Sequence, residues 1–296
     1  MLTLLLALAA ALAPASPDST FDAQVRARVQ QDSAAKVAVA YWRLGGDDSL
    51  FVHDNWNFHA ASTMKVPVMT QLFRMVDAGT LSLDQKITLK NEFTSIVGGG
   101  KYALDMADDS DSSLYQRVGQ QVSVRDLIFL MITKSSNLAT NVLISTADPN
   151  KINATMRQLG AEHIRVLRGV EDIAAYRAGL NNTVTARGLA VLMAAIAQDR
   201  AASAASCAEM RKILGAQEFK DEIPAGLPAG TLVAHKTGWV DGVVLHDAAI
   251  VYPTGGTPYV LVVLTGEIQE TPHASKLIAD ISRLIWTHET TSMASK

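Results

Sequence analysis

The chain has 296 residues, 48% of them apolar and 19% charged, with a formal net charge of −3. This balance excludes a disordered chain and predicts a sizeable buried core. The near-neutral charge, with no basic stripe interleaved with aromatics, gives a nucleic-acid partner no support. Cys207 is the only cysteine, which excludes an intrachain disulfide; in "AASCAEMRKIL" it reads as a small buried residue of a helix. The seven histidines show no close metal-ligand spacing, and neither a metal nor another cofactor is expected.

The chain opens on an apolar run, Leu2 to Ala13, followed by the small residues Ala13-Pro14-Ala15. The run is too short to span a bilayer. It resembles the apolar core and cleavage site of a secretory signal, without the usual basic start. Residues 1–16 are therefore expected to be a signal peptide, and the mature chain to be exported, periplasmic or secreted, with no stable membrane span.

"FDAQVRARVQQ" reads as an amphipathic helix, and "KVAVAYWRL" and "SLFVHDN" as strands joined by the turn "GGDD". A helix runs from Ser62 to about Val76, and "KITL" is a short strand. "VSVRDLIFLMIT", "NLATNVLIST", "DPNKINATMRQLG" and "TVTARGLAVLMAAIAQD" carry helical spacing, with Pro149 near one start and Gly160 at that helix's stop. Residues 161–182 and the Gly-, Asp- and Ser-rich residues 98–116 read as loops; one as long as the latter often borders a site. "GTLVAHKTG", "VVLHDAAIVYP" and "PYVLVVLTGE" are strands, and "TPHASKLIADISRLIWTHE" is a closing amphipathic helix. Strands at both chain ends around a helical middle predict one antiparallel sheet with helices packed on it and a helical lobe.

Ser62 stands three residues before Lys65, so hydroxyl and amine share a helical face. That is the arrangement of a nucleophile and its base, and equally of an ordinary helix start with a surface lysine. The same spacing recurs at Ser33 and Lys36. Two further motifs single out the first pair: Ser135-Ser136-Asn137 at a break between helices, and Lys236-Thr237-Gly238 at the end of a strand. In this order, S-x-x-K, S-x-N and K-T-G resemble the penicillin-recognising serine enzymes, class A β-lactamases in particular. The resemblance covers nearly the whole chain beyond the apolar start, and Ser33 has no place in it.

The resemblance implies an α/β sandwich of the β-lactamase/DD-peptidase type: a mainly antiparallel five-stranded sheet formed by both chain ends, helices on both faces, and an all-helical lobe. Residues 17–296 would form the catalytic domain, its α/β part at about 17–66 and 218–296 and its lobe at about 67–217. For acyl transfer Lys65 must be neutral part of the time; burial and a neighbouring cation, Lys236, would lower its pKa. By resemblance, the backbone N–H groups of Ser62 and Trp239 face the oxyanion, and Ser135 relays a proton to the departing nitrogen. Lys236 and Thr237 of the K-T-G motif, with Gly238, hold the substrate carboxylate, and Asn137 bonds the substrate's amide. Tyr102 is a candidate to stack on substrate across the cleft.

Water must then release the acyl group. In class A enzymes a glutamate on the loop after the helical lobe activates it, and "RGVEDI" offers Glu171, with Asp172 as its neighbour and competitor. The family's Leu-Asn is missing: Ile173-Ala174-Ala175 follow, leaving Asn181 or Asn182 as substitutes, and Arg168 as a brace for the loop. The arginine that many class A enzymes carry on the strand after K-T-G is also missing; Leu245, His246 and Asp247 stand there, His246 being either a site residue or structural. The expected function is β-lactam ring opening through an acyl-enzyme on Ser62. A D-alanyl-D-alanine peptidase or esterase shares the motifs, and a non-catalytic penicillin- or peptidoglycan-binding module is the remaining alternative. The expected partner is a small β-lactam or peptidoglycan-like molecule, met by a monomer.

Overall fold

A computed structural model describes residues 17–31, 36–267 and 270–294. The apolar start read as a signal lies outside these residues, as does Ser33. In chain order the first elements are α1 (Pro17–Gln30), β1 (Lys36–Arg43), β2 (Ser49–Val52) and β3 (Phe58–His59). A 3₁₀ turn, Ala61–Met64, leads into α2 (Lys65–Asp77). Then come β4 (Lys86–Thr88), β5 (Phe93–Thr94), β6 (Lys101–Tyr102), β7 (Gln121–Ser123), α3 (Val124–Thr133), α4 (Asn137–Ala147) and α5 (Pro149–Gln158). The remainder is α6 (Ile173–Arg177), β8 (Thr183–Val184), α7 (Ala186–Ala197), α8 (Ala204–Gly215), β9 (Leu232–Val240), β10 (Val244–Tyr252), β11 (Tyr259–Gly266) and α9 (Thr271–Ala294).

The principal sheet has five antiparallel strands in the order β2-β1-β11-β10-β9, so both chain ends build it as expected. Strands β10 and β11 are buried almost throughout, because layers cover both faces. That is why "VVLHDAAIVY" reads as nearly continuous rather than alternating. Behind the sheet, Phe21 and Val25 of α1 and Leu277, Ile278 and Ile281 of α9 pack on Val39, Tyr41, Leu261 and Val263. In front, α7 lies across β1, β10 and β11. A second core there joins Leu189, Leu192 and Met193 to Ala40, Val262 and Leu264.

Helix α2 runs through that front core with every residue from Lys65 to Phe73 buried. A helix enclosed on all sides lies inside a protein, not on its surface, and Lys65 is the one cation carried in with it. Cys207 is fully buried, its Sγ 3.6 Å from Ala202 O, as its helical apolar setting predicts. The two stretches read as loops hold short structure. Residues 161–182 contain α6, and residues 98–116 contain β6, the 3₁₀ turn Met106–Asp108 and most of a second, Ser113–Arg117. Among the described residues no helix is long and apolar enough to cross a membrane.

Candidate active site

Ser62 sits in the 3₁₀ turn just before α2. The turn is pinned from below: Thr63 donates from both its N–H (3.1 Å) and its Oγ1 (2.6 Å) to Ala60 O. Ala61 adopts φ +44°, a left-handed conformation that costs a non-glycine residue about 1–2 kcal/mol. The K-T-G end of β9 lies flush against this turn. A Cβ added to Gly238 would stand 3.0 Å from Thr63 N and 3.2 Å from Ala60 O. Gly238 therefore permits a close backbone approach that brings the third motif to the first.

Lys65 Nζ is fully enclosed and points at the second motif. It donates to Ser135 O (2.6 Å), Ser135 Oγ (3.1 Å) and Asn137 Oδ1 (3.0 Å). Lys236, also fully buried, reaches the same hydroxyl from the other side at 3.1 Å and Thr237 O at 2.9 Å. Ser135 Oγ thus bridges two amines. Its backbone is left-handed, φ +58°, at the junction between α3 and α4. Burial pushes both amines down, Lys236 to about 7 and Lys65 well below the usual lysine range. The Lys236 cation lowers Lys65 further, while Asp109 and Glu171 oppose this. Asp247 and Glu222 hold Lys236 up.

Asp109, in the Asp-rich loop, is a site residue that the sequence does not single out. Its carboxylate accepts from Asn137 N and Leu138 N, at 2.9 Å each, capping α4 where the second motif enters it. Ser110 Oγ donates to Lys134 O at 2.8 Å. The loop 98–116 therefore does border the site, supporting the second motif from outside. Four aspartates in one polar stretch look alike on paper; only the folded loop distinguishes this one.

Glu171 and Asp172 part company. Asp172 is buried and accepts from Ser95 Oγ (2.7 Å), Ile96 N (3.0 Å) and Ala175 N (3.1 Å), capping α6 and tying it to the segment after β5. Glu171, at φ +60°, turns the other way, toward the site. Its Oε2 accepts from Asp105 N at 3.3 Å, and the Asn137 side chain favours its ionised form. Its Oε1 is buried without a protein partner. Burial, then Asp108 and Asp109, push its carboxyl above the usual range.

Arg168 braces this loop as expected. It donates to Leu180 O (3.1 Å), Gly169 O (3.0 Å) and Asn181 Oδ1 (2.9 Å). Asn182 holds the backbone: its Oδ1 accepts from Leu167 N (2.7 Å) and Arg168 N (3.1 Å), and its Nδ2 donates to Arg168 O (3.0 Å). Both asparagines thus engage Arg168, and neither is placed as a partner of Glu171. Asn141 adds a second clamp, bonding Val170 N (2.6 Å) and Val170 O (2.9 Å). Tyr102 stands beside it, its hydroxyl 3.4 Å from Asn141 Nδ2 and its ring tilted against Phe93. A Cβ on Gly169 would collide with that hydroxyl at 2.6 Å.

Thr237 is nearly buried opposite Asp247 in the ladder. Trp239 is 54% exposed, and its indole donates to Thr271 Oγ1 at 3.1 Å. His246 is fully buried and structural. Its Nε2 donates to His59 O (2.9 Å), and its Nδ1 lies between Leu245 O (2.8 Å) and Thr265 N (3.2 Å). Burial pushes it down to about 4.

A sheet-and-helix fold that gathers S-x-x-K, S-x-N and K-T-G around two buried amines defines a class, the serine enzymes that interact with penicillin. Within it the chain belongs to the β-lactamase enzyme family, whose sequence profile matches residues 20–288. It is a divergent member. The β-lactamase VEB-1 of Pseudomonas aeruginosa is 22% identical, over 86% of this chain and 85% of its own. A β-lactamase of Bacillus licheniformis is 25% identical, over 88% of this chain and 81% of its own. Among solved structures, a mutant of PBP-A in an acyl-enzyme complex with penicillin G superposes with a TM-score of 0.80. It is 27% identical and covers 95% of this chain and 100% of its own.

Proposed function

We propose that the protein is a class A-like serine β-lactamase that opens the ring through an acyl-enzyme on Ser62. The observation that carries the reading is the Ser135 hydroxyl held between two fully buried amines, one of them a turn beyond Ser62. Lys65 has three acceptors around Nζ, which suits an ammonium. As a free amine it keeps two of them and offers a lone pair to a serine hydroxyl. Burial and the Lys236 cation favour that neutral form.

Ser62 then attacks the β-lactam carbonyl, and its proton passes to Lys65. The backbone N–H groups of Ser62 and Trp239 stabilise the oxyanion. Ser135 passes a proton to the ring nitrogen as the C–N bond breaks. Strand β9 is an edge of the sheet, so its unpaired backbone can line a bound substrate. Lys236 and Thr237 hold the carboxylate there, Asn137 meets the amide, and Tyr102 supports the opposite wall through Asn141. Glu171 takes a proton from the water that attacks the ester, its free Oε1 being the acceptor. The apolar start would direct export.

The likeness to PBP-A, and the absence of the family's Leu-Asn shortly after Glu171, favour a second reading: a D-alanyl-D-alanine peptidase or esterase that releases its acyl group slowly. One time course separates the two. Wild type and Ser62→Ala are mixed with a penicillin and a cephalosporin and followed by intact-protein mass spectrometry. The expected result is a transient adduct that clears in seconds and is absent in Ser62→Ala. An adduct persisting for hours, with cleavage of a D-Ala-D-Ala peptide, replaces the first reading by the second. No adduct with any β-lactam overturns both.

A further inference from the structure

His59 lies three residues before Ser62 and has no part in the chemistry above. It ends the two-residue strand β3, opposite Thr183 of β8, and its carbonyl receives the Nε2–H of His246. Its ring faces two donors. Ala61 N–H points at Nδ1 at 3.1 Å, and the Arg168 guanidinium, through Nη2, lies 3.5 Å from Nε2.

A neutral imidazole carries one N–H and one lone pair, so it can accept from only one of these donors. The shorter contact is with Ala61, so Nδ1 holds the lone pair and Nε2 the hydrogen. Arg168 then gains nothing from the ring, and it turns Nη2 to Asn181 Oδ1 at 2.9 Å. The groups that face the ring are Arg168, the Tyr176 ring edge at 6.3 Å and the neutral His246. None is an anion, and burial together with Arg168 pushes the imidazole below its ordinary value. The lone pair on Nδ1 is therefore kept available.

That lone pair is aimed at a strained residue. Ala61 has φ +44°, and with its N–H unmet the turn can relax toward an ordinary right-handed conformation. Relaxation there swings the next residue, Ser62. We propose that His59 is a positioning residue for the nucleophile: its Nδ1 holds the Ala61 N–H and so fixes the left-handed turn that delivers Ser62 to Lys65. This rests on the reading of Ser62 as the acylated serine.

The test compares His59→Asn, whose Oδ1 can occupy the place of Nδ1, with His59→Gln, whose polar end reaches only the place of Nε2. Acylation and deacylation rate constants with one penicillin are read by intact-protein mass spectrometry. His59→Asn is expected within about twofold of wild type, and His59→Gln to acylate roughly tenfold more slowly, the loss of one hydrogen bond's worth of alignment. Deacylation stays within about twofold in both, as expected for an effect confined to the turn. A purely structural histidine would instead lower the amplitude of acylation through an unfolded fraction, with its rate constant unchanged. Equal acylation rate constants for the two variants, or slowing in both alike, overturn the inference. A wild-type chain that no β-lactam acylates removes the nucleophile reading itself, a result distinct from either.

Discussion

The two sides of the cleft are built by different means. On one side, Ser62, Lys65, Ser135 and Lys236 belong to the 3₁₀ turn before α2, to α2 itself, to the α3–α4 junction and to β9, and the amines sit among side chains of the front core. On the other side, Glu171 hangs on a loop held by single polar clamps: Arg168 to Leu180, Gly169 and Asn181, Asn182 to Arg168, and Asn141 to Val170. The first side is fixed by packing, which resists displacement in every direction. The second is fixed bond by bond, and each bond can be removed alone. Acylation should therefore be robust to changes in the loop, whereas deacylation should be fragile.

The most severe way to separate the two sides is Glu171→Gln. Its deacylation rate is expected to fall by about 10²–10⁴-fold, the usual worth of a general base, with acylation within about threefold of wild type. The readout is a penicilloyl adduct that accumulates instead of clearing. If Glu171 is the base, it also sets a pH dependence. Its carboxyl is held above the usual range, and only the ionised form accepts a proton, so deacylation in wild type should decline as pH falls through that raised value.

The packed side is the one that could be read in advance. S-x-x-K leads into a helix and K-T-G sits on a strand, both with local periodicity; β1, β9, β10 and β11 emerge within two residues of the expected bounds, while β2 ends three residues early, at Val52. The clamped side could be read only in part: Glu171 and the Arg168 brace are legible, the elements that hold them are not. Strands β3 and β8 have two residues each, and α6 has five, too few for any period to show. The separation of Glu171 from Asp172 depends on one left-handed backbone angle, and the part played by Asp109 depends on a contact across 28 residues. No pattern of residue types encodes either. The departures from the family pattern around Glu171 lie on this same side.

A milder test is Arg168→Ala. Removing the guanidinium leaves three acceptors without their donor, at about 1–3 kcal/mol for a buried group. Deacylation should slow roughly tenfold, with acylation nearly unchanged. Equal losses in both steps would show that the two sides are coupled. The smallest expected effect lies on the packed side. Asp247, behind β9, receives His235 Nδ1 at 3.0 Å and Ile223 N at 3.1 Å, and it helps keep Lys236 charged. Asp247→Asn retains the shape and removes the charge, so Lys236 should lose its proton at lower pH. The alkaline fall in acylation of a carboxylate-bearing β-lactam should move down by roughly one pH unit.

Gly238 gives the cleft a fixed gauge at its inner end. No room exists there for a single carbon: a Cβ on Gly238 would meet Thr63 Cγ2 and Thr63 N at 3.0 Å each and Ala60 O at 3.2 Å, so the strand and the turn that carries Ser62 are in direct contact. A ligand cannot part them without prying β9 from its neighbour. Trp239, the next residue along β9, is by contrast 54% exposed, so size differences among ligands would be accommodated on its side of the strand. On the reading of Ser62 as the acylated serine, the catalytic spacing and the breadth of substrates would rest on neighbouring residues of one strand, and the second could change without disturbing the first.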